Sequence, residues 1–209
     1  MQEPQRDCPL CPRLVEFRRG NRAAYPDWHN APVPSFGALD ARLLIVGLAP
    51  GLRGANRTGR PFTGDYAGDL LYPTLIKFGF ALGTFAARPD DGLELVDCRV
   101  TNAVRCVPPE NKPTSAEIKT CRSFLRREIA AMPKLRTILG LGKIAHDSVI
   151  RTLGWKLAEF PFVHGARHEA PDGRFIVDSY HCSRLNTNTG RLTAAMFESV
   201  IAGLAEDLR

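Results

Sequence analysis

The 209-residue chain has no apolar stretch long enough to span a membrane, which excludes a helical membrane protein. No apolar signal segment opens it: Met1 leads into polar Gln2, Glu3, Pro4, Gln5, Arg6 and Asp7, so a reducing cytosol is expected and disulfides are the weakest use of its six cysteines. Internal repeats, low-complexity tracts and interdomain linkers are also lacking, which excludes solenoids and flexible tethers. What remains, 44% hydrophobic and 24% charged, suits one soluble α/β domain with a real core. Lysine is scarce beside arginine within a formal net charge of +6 and a pI near 9.2. Arginines gather at Arg13, Arg18, Arg19 and Arg22, at Arg53, Arg57 and Arg60, and at Arg184 and Arg191. Planar guanidinium forks match phosphate and favour a polyanionic partner, although a solvated basic face would have the same composition.

Four of the cysteines form the pattern Cys8-x-x-Cys11, Cys106, Cys121. A zinc ribbon usually presents two tight Cys-x-x-Cys knuckles, whereas only the first pair is tight here and a Pro-rich loop separates the others. An all-thiolate iron-sulfur cluster tolerates such spacing, and it ranks ahead of zinc and of unliganded thiols. Cys98 and Cys182 fall outside the pattern and read as small packing residues.

Apolar runs alternate with helical periodicity, the mark of a parallel sheet covered by helices. Strands are predicted at 43–48, 96–101, 137–141 and 174–179, and helices at 66–78, 115–132, 143–153 and 191–208. Thr114 and Glu117 make a capping box for the second helix, Pro133 closes it, and Gly154 ends the third. Residues 30–37, with Pro32 and Pro34, read as a loop tying the N-terminal segment to the sheet.

Ligands of open α/β sheets bind beyond the carboxyl ends of the strands. Three segments there are unusual: Gly47-Leu48-Ala49-Pro50-Gly51 running on to Arg60-Pro61-Phe62-Thr63-Gly64-Asp65, then Thr101 to Cys106, then His181 to Arg191. Phe62 in a loop suits stacking on a flat ring or plugging the loop from beneath. Asp65 precedes a helix, where an N-cap is the default reading. Asn102 offers both an acceptor and donors, the complement of a pyrimidine edge, although Asn is also a common turn former. His181 alone among the five histidines is embedded in a dense polar segment.

Together these segments resemble the uracil-DNA glycosylase superfamily, and within it the iron-sulfur-containing family 5, often called type B. Gly47-Leu48-Ala49-Pro50, Gly54 to Arg60 and Phe62-Thr63-Gly64-Asp65 are similar to its first motif, and His181 to Arg191 to its last. One departure stands out: the last motif usually reads His-Pro-Ser, and Cys182 replaces the proline here. The resemblance implies a three-layer α/β/α fold around a mostly parallel four-stranded sheet, forming a single domain over 1–209 with segment 1–40 tied on by the cluster. It implies a 4Fe-4S cluster on Cys8, Cys11, Cys106 and Cys121, and DNA carrying uracil or other deaminated bases as substrate. A monomer in the cytosol or nucleoid of a bacterium or archaeon is expected.

In this reading the base is flipped from the stack. Phe62 stacks on it, Asn102 reads its edge, and Asp65 stabilises an oxocarbenium-like sugar or orients water. His181 donates to the departing base, and backbone amides near Ala49 and Gly64 add donors. Ala49 itself cannot activate water. Ser183 holds a flanking phosphate, Arg184 and Leu185 form the wedge, and Arg60 is a further contact to the DNA backbone. The three strand-end segments contain no lysine, which excludes a Schiff base from this pocket and predicts a monofunctional enzyme. Two rivals are a non-catalytic or covalent binder of uracil-containing DNA and an iron-sulfur redox protein. The first would bring a basic, histidine-containing insertion that residues 51–64 lack, and the second leaves the polar strand-end segments without a role.

Overall fold

Short apolar runs and amphipathic stretches alternate in the computed structural model, which describes residues 3–209; Met1 and Gln2, the start of the polar opening stretch, lie outside the described residues. In chain order the elements are α1 (Pro12–Ala24), β1 (Leu43–Gly47), α2 (Ala55–Thr58), α3 (Tyr66–Lys77), β2 (Ala81–Leu82), β3 (Glu94–Leu95), β4 (Cys98–Asn102), α4 (Ser115–Ala130), β5 (Thr137–Leu141), α5 (Lys143–Leu153), β6 (Arg167–Glu169), β7 (Phe175–Ser179), α6 (Arg184–Asn188) and α7 (Ala194–Asp207).

The main sheet runs β4-β1-β5-β7-β6, all parallel except β6, which lies antiparallel to β7. The expected four strands are present, and β6 corrects the count to five. It is a three-residue edge strand, mostly exposed, with no apolar run to announce it. Every residue of β1, β4 and β5 is buried, because helices cover both faces of a parallel sheet. The strand period of two divides the core: Leu43 and Ile45 meet Leu71 and Leu75 of α3 and Phe197 and Ile201 of α7, while Leu44 and Val46 meet Leu125 and Ile129 of α4 and Val149 and Ile150 of α5.

The Thr114–Glu117 capping box forms, with the Thr114 amide donating to Glu117 Oε2 at 2.7 Å and the Glu117 amide donating to Thr114 Oγ1 at 3.2 Å. Gly154 adopts a left-handed conformation, φ +81°, and ends α5. Helix α1 is unannounced by apolar period, because its buried residues are Leu14, Arg18 and Asn21. Pro12 at its first position is preorganised for a helix start directly after Cys11. Among the described residues no helix is long and apolar enough to cross a membrane.

Register prepares the functional edge. Gly47 lies beside Asn102 in the β1–β4 pair. Pairing continues past the strand ends, Ala103 N–H to Gly47 O and Val104 N–H to Leu48 O, both 2.9 Å. The loops after β1 and β4 therefore leave the sheet side by side.

Candidate active site and cysteine centre

A small cavity at the carboxyl edge is lined by Ala49, Pro50, Phe62, Asp65, Ala67, Asn102 and His181. Asn102 ends β4 and is buried, yet its Oδ1 has no hydrogen-bond partner. Gly47 makes room for it: a Cβ there would overlap the Phe62 ring and lie 2.5 Å from Asn102 Oδ1. Phe62 is buried with φ +53°, a conformation that costs a bulky residue energy and is held here by the packed loop. Its ring lies 5.9 Å from that of His181 at an interplanar angle of 28°.

Asp65 occupies the N-cap position of α3, but its carboxylate makes no capping bond and Oδ1 is buried without a partner. Burial raises its pKa, opposed by the amides of Gly68 and Ala67. The other oxygen rests on a glycine bed, since a Cβ at Gly51 would come within 3.1 Å of Oδ2 and one at Gly54 would overlap the carboxylate. Burial pushes His181 down to about 4, so the imidazole is neutral at physiological pH, and its Nδ1 is also buried and unpartnered. Its backbone is well held: Asn186 Nδ2 donates to the His181 carbonyl at 2.8 Å, Tyr180 N–H donates to His164 Nδ1 at 3.1 Å, and Gly142 N–H donates to Ser179 O at 2.7 Å.

The remaining candidates divide. Ser183 caps α6, its Oγ accepting from Asn186 N at 3.5 Å, and Gly64 sits outside the cavity against Arg57, with φ +86°. Leu185 is 73% exposed, and the Arg184 guanidinium lies 5.3 Å from the Tyr66 ring centroid. Arg60 corrects the expectation of a DNA contact. It is buried, forms two 2.8 Å bonds to the fully buried Asp91 carboxylate, and lies among the rings of Phe36, Tyr72 and Phe85. A desolvated guanidinium satisfied in this way is structural, and it holds Asp91 well below the usual carboxylate range. Part of the first arginine cluster is likewise engaged within the chain: Arg13 forks onto Glu117 at 2.8 and 2.7 Å, and Arg22 reaches Asp7 and the Asn30 carbonyl. Arg53, Arg57, Arg184 and Arg191 stay exposed. Pro50 and the glycines at 47, 51 and 54 stand in the motif segments but were given no role of their own, and Ala67 was not named, because small residues carry no chemical signal in sequence.

Cys8, Cys11, Cys106 and Cys121 line one cavity between α1, the loop after β4 and α4. Among the described residues no three Cys, His, Asp or Glu side chains stand close enough together to hold a single metal ion. Four thiols around one cavity make a soft sulfur donor set, the kind that zinc and iron-sulfur clusters use. N–H donors face the sulfurs: Arg105 N to Cys121 Sγ at 3.3 Å and Arg18 Nη1 to Cys106 Sγ at 3.8 Å. Burial, then the neighbouring thiols, pushes Cys106 up to about 12, and burial takes Cys121 to about 11. Behind the loop, buried Glu128 bridges Arg99 and Arg105, and Arg105 Nη1 also donates to Ser35 Oγ at 2.7 Å. Cys98 and Cys182 are fully buried packing residues, as expected.

A parallel-sheet α/β protein with a small polar pocket at its carboxyl edge defines the class. The model of the Uracil DNA glycosylase superfamily matches residues 34–205. A type-5 uracil-DNA glycosylase of Thermus thermophilus is 45% identical over 93% of this chain and 90% of its own length. That of Pyrobaculum aerophilum is 40% identical over 96% of this chain and 89% of its own, and a type-4 enzyme of the same organism is 31% identical over 79% and 70%. The chain belongs to the uracil-DNA glycosylase superfamily, in its type-5 family.

Proposed function

We propose that the protein excises uracil from DNA by hydrolysing the N-glycosidic bond, leaving an abasic site for base excision repair and cutting no strand. The observation that carries this is the convergence of three buried, unpartnered polar atoms, Asp65 Oδ1, Asn102 Oδ1 and His181 Nδ1, on one cavity walled by Phe62. Buried polar groups are nearly always satisfied, so three orphans in one place mark where a ligand's polar atoms belong. The Asn102 amide pairs with the uracil edge and disfavours cytosine, whose exocyclic amine reverses one pairing. As the bond breaks, positive charge grows on the sugar and negative charge on the base. Asp65 stabilises the sugar or orients the attacking water, and neutral His181 donates to the base carbonyl. Water supplies hydroxide to the sugar carbon, and the departing base takes the proton. Leu185 and Arg184 fill the gap in the stack, and Ser183 holds a flanking phosphate.

Residues 1–209 act as one unit, with segment 1–40 fastened by a 4Fe-4S cluster on Cys8, Cys11, Cys106 and Cys121. When bound, the cluster supplies thiolate-iron bonds that cross-link α1, the loop after Asn102 and α4. The reaction needs nothing further from it. Free uracil, measured by mass spectrometry after incubation with single- and double-stranded uracil-containing DNA, tests the reading. Release with intact strands before alkali is expected. Strand breaks at that stage would reject the monofunctional assignment, and absence of uracil would reject the activity.

A further inference from the structure

The groove between α4 and α5 gathers positive charge that the fold leaves uncompensated. It is lined by Ser115, Ile118 and Arg122 of α4 and by Ile144, Asp147 and Arg151 of α5. Its acid, Asp147, is taken by Lys143 through two 2.8 Å bonds. Among the described residues Arg122 and Arg151 form no ion pair, and Arg122 Nε is buried with no hydrogen-bond partner. Burial, then the charges of Arg151 and Arg126, holds Arg122 below the usual arginine range. Buried Arg60, Arg99 and Arg105, by contrast, each meet a carboxylate.

Position gives this excess a use. Helix α5 starts from Gly142, which is bonded to Ser179 O at the end of β7. Ile118 of α4 packs in the same apolar cluster as Ala49, a wall of the base pocket. Both helices therefore begin at the carboxyl edge. Arg122 stands seven residues into α4, about 10 Å from its start at ~1.5 Å per residue. The groove runs from Ser115 and Ile144 at that edge to Arg122 and to Arg151 in the last turn of α5, and the positive end of α4 adds to its field.

We propose that this groove is a second DNA site, binding a backbone phosphate of the strand that flanks the extruded nucleotide through Arg122 and Arg151. Guanidinium forks match the phosphodiester oxygens, and Arg151 is exposed to receive one. The proposal rests on the glycosylase reading for its ligand, and its test reads binding alone.

The probe is a duplex carrying a non-hydrolysable abasic analogue, in which neutral methylphosphonates replace the backbone phosphates one at a time. At a phosphate beyond the two that flank the flipped position, the replacement should weaken wild-type binding roughly tenfold. In the Arg122→Gln/Arg151→Gln protein the same replacement should have no further effect, and the slope of log K against log salt should be shallower by about 1–2. Arg151→Gln alone, at an exposed position, repeats the comparison should the double variant fail to fold. The proposal falls if no such phosphate is found, or if its replacement costs the same in wild type and variant. It falls equally if polyglutamate binds the groove while every phosphate there is dispensable, which would assign the groove to an acidic protein. Failure of wild-type protein to release uracil from a short oligonucleotide would instead sink the glycosylase reading.

Discussion

Asp65 sits where burial and chemistry oppose each other. Its carboxylate is buried against the Gly51 and Gly54 backbone, and this burial raises its folded pKa against the opposing pull of the Gly68 and Ala67 amides. A raised carboxylate disfavours folding once ionised: stability from this group falls as pH climbs from the ordinary aspartate range through the folded pKa. Asp65→Asn should therefore raise Tm at pH 7 by about 2–4 °C while slowing uracil release on the order of 10²–10⁴-fold. Calorimetry and single-turnover release check the two halves, and an unchanged release rate would remove Asp65 from the mechanism. Sequence marked Asp65 as a helix cap and a family-like carboxylate. It left open whether the cap bond forms, because that depends on how the glycine loop after β1 approaches. Arg60 shows the reverse: surrounded by arginines in sequence, it is claimed by Asp91 through a contact 31 residues away.

At the scale of elements, α6 is built as a short rigid tip. Ser183 caps it, Asn186 ties its first turn to His181, and Leu185 projects into solvent. A wedge is needed only where a partner base must be kept apart, so Leu185→Ala should slow release from duplex DNA about tenfold and leave single-stranded release near wild type. Equal losses on both substrates in a rate comparison would deny the wedge role. The strands and helices of the core were legible because their periods of two and 3.6 repeat over enough residues. Helix α1 was not, since its inward face sets polar Arg18 and Asn21 beside Leu14, and Arg18 is accommodated there by bonding Cys106 Sγ and the Cys8 carbonyl. Edge strand β6 was missed because pairing with β7, rather than apolar content, defines it.

Over the whole molecule, two pocket groups shape the response to pH. His181 is pushed down to about 4 from an ordinary value of about 6.5, so the folded protein holds it neutral while the unfolded chain takes up a proton. The stability this contributes is present above about 6.5 and is lost as pH falls toward about 4. Uracil release should decline on the acid side with an apparent pKa above that of a free aspartate, set by Asp65. A single-turnover pH profile whose acid limb lies at the ordinary aspartate value would contradict this. The sequence alone determined the layered α/β class, the family, the four cysteines and the three segments bearing Asp65, Asn102 and His181, because local periodicity, turn chemistry and motif residues are written in adjacent positions. Only the tertiary structure decided that Arg60 is internal, that the three pocket groups lack partners, that the four thiols share one cavity, and that Arg122 and Arg151 line one groove. Each of these depends on distances between residues far apart in the chain, and packing alone fixes such distances.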